Sequence, residues 1–94
     1  MTGIDPVIYD IAPGVTRAIH NRYKAYVERE DILQECLSWA LSRNKWITEQ
    51  LLEATDADKR KHAESRIAWQ MRRAAERYSR REKATKSGYQ IADE

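Results

Sequence analysis

Ninety-four residues carrying a formal net charge of +2 make one domain, or one domain with tails, long enough to bury a modest core without staples. Charged residues are 34% of the chain and hydrophobic ones 41%, with only three Gly and two Pro, a mix that suits a compact helical protein and excludes a collagen-like chain. The lone Cys36 has no partner for an internal disulfide, no apolar run approaches the ~18 residues of a membrane span, and no basic segment followed by an apolar one stands at the N-terminus, so the cytoplasm is the expected compartment.

Residues 1–12 read as an N-terminal arm. Asp5-Pro6 has the chemistry of a helix start, since Asp is a good N-cap and Pro suits the first helical position. Ile4, Val7, Ile8 and Ile11 are apolar enough to dock on a core, and Pro13-Gly14 is expected to break the chain before a first amphipathic helix over about Val15 to Val27. A second helix is expected over about Glu30 to Arg43, with acids at its start and bases at its end to suit the macrodipole. Ile32, Leu33, Cys36, Leu37, Ala40 and Leu41 would form its apolar face. Thr48 begins a further short helix through Leu52, and Thr55 with Asp58 has the spacing of a capping box for another helix.

That last helix is basic and spans about Asp56 to Lys86, with Gly88 as its stop and residues 88–94 as an acidic tail. Residues 59–86 hold eleven Lys or Arg against three acids, a local charge of +8, so the first 58 residues carry a charge of −4. A concentrated positive surface on an otherwise balanced protein is the electrostatic footprint expected for a polyanion partner. Strand signals are weak throughout. The class is therefore all-α, a compact three- to four-helix domain over residues 13–87 with a long basic C-terminal helix.

The basic helix has two sides. Ala63, Ile67, Met71, Ala74 and Tyr78 recur at steps of four, four, three and four, which is a core stripe. Trp69 lies two residues from both Ile67 and Met71, about 200° away at ~100° per residue. It therefore shares a side with His62, Arg66, Arg73 and Arg80. Cations that follow phosphates, with a ring as a stacking platform, are what single-stranded nucleic acid requires. The same pattern fits a solvated charged face with Trp69 packed under arginine stems.

On the second helix Asp31, Gln34, Glu35 and Ser38 make an acidic, polar stripe opposite Leu33, Leu37 and Ala40. It reads either as an ordinary solvent face or as a docking strip for a basic partner helix. Trp39 borders it, as an interface anchor or as core.

The stretch from Tyr23 through Glu30-Asp31-Ile32-Leu33-Gln34-Glu35 to Leu37 resembles region 2 of the sigma-70 family of bacterial transcription initiation factors. There an acidic Glu-Asp-Leu-Val-Gln-Glu-type segment opens the helix that binds the clamp helices of the largest RNA polymerase subunit. Glu30, Asp31, Gln34 and Glu35 match that segment, and Ser38 continues the strip. Arg66 to Ala74 is similar to the family helix that captures the melted −10 promoter strand, and Arg80 to Tyr89 resembles sigma-like proteins of phages that infect actinobacteria. The resemblance covers about residues 15–86. It implies polymerase docking through Glu30, Asp31, Gln34, Glu35 and Ser38, and promoter DNA contact through Arg66, Trp69, Arg72, Arg73, Arg77 and Arg80, in the cytoplasm of a bacterial host. The chain departs from the family where paired Trp residues are replaced by Trp69 alone, and where a Gln and a Thr are replaced by Arg72 and Ala75. A second helix-turn-helix for the −35 element has no room in these residues.

An enzyme is not expected. His20 and His62 are the only histidines, Cys36 lies on an apolar face, and Gly3, Gly14 and Gly88 are too far apart to cradle a phosphate. No catalytic residue, metal ligand or cofactor is therefore assigned. Two alternatives stay open: a polymerase-binding inhibitor or interaction module that reads no DNA, and a helical bundle that binds nucleic acid without sequence preference.

Overall fold

The computed structural model describes residues 5–93, with the backbone path alone for residues 87–93. The described residues form four helices and no strand: α1 (Val7–Tyr23), α2 (Arg29–Ser42), α3 (Asn44–Glu53) and α4 (Ala57–Asp93). The all-α class is as expected from the sequence. Helices α1 and α2 pack on each other and on α4, and α3 packs on both α2 and α4. At 1.5 Å per residue, the 37 residues of α4 span about 55 Å, which accounts for the 57 Å long axis of the molecule.

The apolar stripe of α4 is the floor of the core. Ala63, Ile67, Met71, Ala74 and Ala75 are buried, and Tyr78 packs at the edge. All but Ala74, which lines a groove beside Trp39, share one core with Ile8, Ala12, Val15, Ile19 and Tyr23 of α1, Ile32, Cys36 and Ala40 of α2, and Ile47 and Leu51 of α3. Thr16 of α1 donates a hydrogen bond to the Cys36 sulfur at 3.9 Å. Burial pushes the Cys36 thiol up to about 11, against the lowering effect of Thr16, so it is a small buried hydrophobe.

Several boundaries differ from the sequence reading, each for a local reason. The segment expected as an arm is helical from Val7, and Asp5 Oδ1 accepts the Val7 N–H at 3.0 Å. Helix α1 then runs through Pro13 and Gly14 without a break. An interior proline costs ~3 kcal/mol, but burying each of Val7 and Ile8 is worth roughly 1.5–3 kcal/mol, and those residues share one face with Ala12, Val15 and Ile19. At its other end α1 stops at Tyr23, whose carbonyl accepts the N–H groups of Tyr26 and Val27, and Val27 is buried from the connection instead.

Helix α3 begins four residues earlier than Thr48, with Arg43 alone separating it from α2. The break carries no Gly or Pro. Ser42 Oγ donates to the Trp39 carbonyl at 2.8 Å, and Arg43 leaves helical geometry at φ −109° and ψ 15°. The cap of α4 is Asp56 rather than the Thr55–Asp58 pair, since Asp56 Oδ1 accepts the Lys59 N–H at 2.8 Å. Gly88 does not stop α4, whose backbone continues to Asp93. One helical Gly costs only ~1 kcal/mol. Leu41, expected on the apolar face of α2, is 59% exposed. Ile4 and Glu94 lie outside the described residues. No helix among the described residues is long and apolar enough to cross a membrane.

Gly14 gives a direct test of the unbroken α1. A Cβ built there meets nothing within 4 Å, so Gly14→Ala trades a poor helix former for the best one without a clash. The expected gain is about 0.5–1 kcal/mol, a rise of a few degrees in Tm by calorimetry. A loss of stability would mean that the chain breaks at Pro13-Gly14.

Candidate nucleic-acid interface

Packing of its apolar stripe leaves the charged sides of α4 in water. Trp69 is 55% exposed, on the side opposite Ile67 and Met71, as its spacing requires. The Arg73 guanidinium lies over its ring, 4.8 Å from the centroid. Such a cation–π contact at an exposed site is worth ~0.5–1 kcal/mol, enough to favour one ring orientation. Trp69 also lines a groove of about 350 Å³ with Arg72 beside it and Gly14 and Ala18 of α1 on its far wall. Small side chains there keep that flank of the indole open.

The six residues assigned to nucleic acid do not form one uniform surface. Arg72, Arg73 and Arg77 are exposed and take part in none of the ion pairs among the described residues. Arg66 leans toward α3, where its Nε donates to Gln50 Oε1 at 3.1 Å. His62 lines a groove with Arg66 on that same side. Arg80 is tied to its own chain: its Nη2 lies 3.3 Å from Glu76 Oε1, which also pairs with Arg22 of α1 at 2.9 Å. Hydrogen bonding to Tyr23, and then the charge of Glu76, hold the Arg80 guanidinium above its ordinary value. Arg80 therefore serves partly as a strut between α1 and α4.

On α2, Glu30, Asp31, Gln34 and Ser38 are exposed and Glu35 is half-buried. Burial raises the Tyr78 hydroxyl above its usual range, with Glu82, Asp31 and Glu35 adding to the effect in that order. Asp31 and Glu35 thus lie within electrostatic reach of Tyr78 on α4. Glu35, Ser38 and Trp39 share a groove of about 230 Å³ with Arg77 and Arg81. The acidic and basic surfaces, expected on separate parts of the molecule, meet along this seam.

A second aromatic cluster escaped the sequence reading. Trp39 and Trp46, both half-buried, line a groove of about 270 Å³ with Arg43, Gln70 and Arg77. Their seven-residue spacing would be two turns of one unbroken helix, but Trp39 is on α2 and Trp46 on α3, so periodicity alone does not bring them together.

Trp69→Ala is expected to weaken binding to a single-stranded oligonucleotide about fivefold to a hundredfold, the worth of one stacked base, and to change duplex binding little. Fluorescence anisotropy with labelled strands reads both. Equal losses on the two would rule out stacking. No family model, no curated protein and no solved structure matches this chain.

Proposed function

We propose that this chain is a sigma-like transcription initiation factor domain, of the kind encoded by phages of actinobacteria. It docks on the clamp helices of bacterial RNA polymerase through α2 and contacts melted promoter DNA through α4. The observation that carries the reading is the exposed Trp69 under Arg73, on a helix whose arginines at 72, 73 and 77 are free of ion pairs among the described residues. An indole held open between guanidiniums fits a splayed base and its flanking phosphates. The exposed Glu30, Asp31 and Gln34, with Glu35 at their margin, offer carboxylates to a basic partner helix. Phosphate contacts from Arg72, Arg73 and Arg77 supply affinity and position, while sequence choice falls to whatever Trp69 and its neighbours do to the base.

The seam between Glu35 and Arg77 favours a second reading. There the α2 carboxylates serve only to balance the arginines of α4, and the protein is a nucleic-acid-binding bundle that makes no polymerase contact.

Charge reversal separates the two. Asp31→Lys with Glu35→Lys should cut capture of purified RNA polymerase more than tenfold. Binding to single-stranded DNA should hold or strengthen, because the added cations lie beside the basic helix. Unchanged polymerase capture, or none by the unaltered chain, would leave the second reading standing.

A further inference from the structure

The groove between α2, α3 and α4 is not lined by Trp69 and shares Arg77 alone with the nucleic-acid face proposed above. We propose that it is a nucleotide subsite, which takes one base with its phosphate. Trp39 comes from the end of α2 and Trp46 from the start of α3, and the bend at Arg43 brings both indoles onto one groove. Arg43 sits at that bend. Gln70 and Arg77 enter from α4, seven residues apart and so on one face of the helix.

Each group matches a part of the ligand. The indoles of Trp39 and Trp46 border the groove, and an indole ring is a stacking surface that any base can use. The Gln70 amide presents a donor and an acceptor side by side, the pairing that reads an adenine edge and the edges of extruded bases. Arg43 and Arg77 make no ion pair among the described residues, and no carboxylate lines the groove with them. Glu35 lines the adjoining groove, which shares Trp39 and Arg77 with this one. Arg43 lines no groove with a carboxylate, so its positive charge is the one that an entering phosphate would balance.

The groove measures about 270 Å³ and is half open, so a base would sit within it and the ribose and phosphate at its mouth. The nucleotide arrives either free or as one unit of a single strand, and the chemistry of the groove is the same for both.

The test uses the full chain with Trp69→Phe, which leaves Trp39 and Trp46 as the only indoles. Adenosine 5′-monophosphate should quench their fluorescence saturably. Gln70→Leu and Arg43→Gln, each checked for an unchanged helical spectrum, should weaken that binding about threefold to tenfold. A short oligoadenylate that binds more tightly than the mononucleotide assigns the groove to a strand, and equal affinity assigns it to the free nucleotide; either upholds the subsite. No quenching at millimolar nucleotide would overturn it. So would equal binding of ribose 5-phosphate, which has no base, or indifference to both substitutions. Such a failure leaves polymerase capture and the Trp69-dependent binding of single strands as they were, so the two ideas stand or fall separately.

Discussion

One narrow apolar stripe on α4 holds the molecule together. Ala63, Ile67, Met71 and Ala75 are the core residues through which a strongly cationic helix packs on three others, with Ser79 also buried. Two of the four are alanines, so little of the circumference of α4 is covered. Filling of the core falls to Ile67 and Met71 against Ile8, Ile19, Ile32 and Ile47, all of them fully buried. The narrowness of the stripe forces the rest of α4 into water, and that is why its charge is displayed rather than neutralised. A wider apolar face would have covered Trp69.

Charge on α4 is graded along its length. At the α1 side, Glu76 gathers Arg22 and Arg80 into a surface pair of pairs. Ion pairs of this exposure are worth little to stability, about 0–1 kcal/mol each, but they set where the guanidiniums point. Arg60 and Glu64 make a further i,i+4 pair near the start of the helix. Between these lies the stretch from Arg66 to Arg73. There the partners of the cations are an indole and an amide, not carboxylates. A polyanion meets least competition from the chain's own acids in that stretch.

The number and class of the helices are legible in periodicity, because α2 and α4 bury residues at steps of three and four that survive any error at their ends. The same arithmetic puts Trp69 on the outside, since ~200° from the stripe turns a side chain away from the core. The helix ends are less legible. Intrinsic propensity makes Pro13 and Gly88 look like breaks, yet burial of Val7 and Ile8 on one side, and continuity of α4 on the other, outweigh a local cost of ~1–3 kcal/mol. The α2–α3 junction has no Gly or Pro to announce it, so the convergence of Trp39 and Trp46 could not be foreseen. The acidic strip is visible in the sequence, but its neighbour across the seam is not: that Glu35 and Arg77 line one groove depends on how α2 and α4 pack, which a linear pattern does not contain.

The central claim is that α4 meets a phosphate backbone with free guanidiniums. Its most direct measure is the affinity for a single-stranded oligonucleotide across a series of salt concentrations. With about four phosphates engaged, the plot of log affinity against log salt is expected to fall with a slope of about −3. A flat plot, or no binding at low salt, would contradict the account.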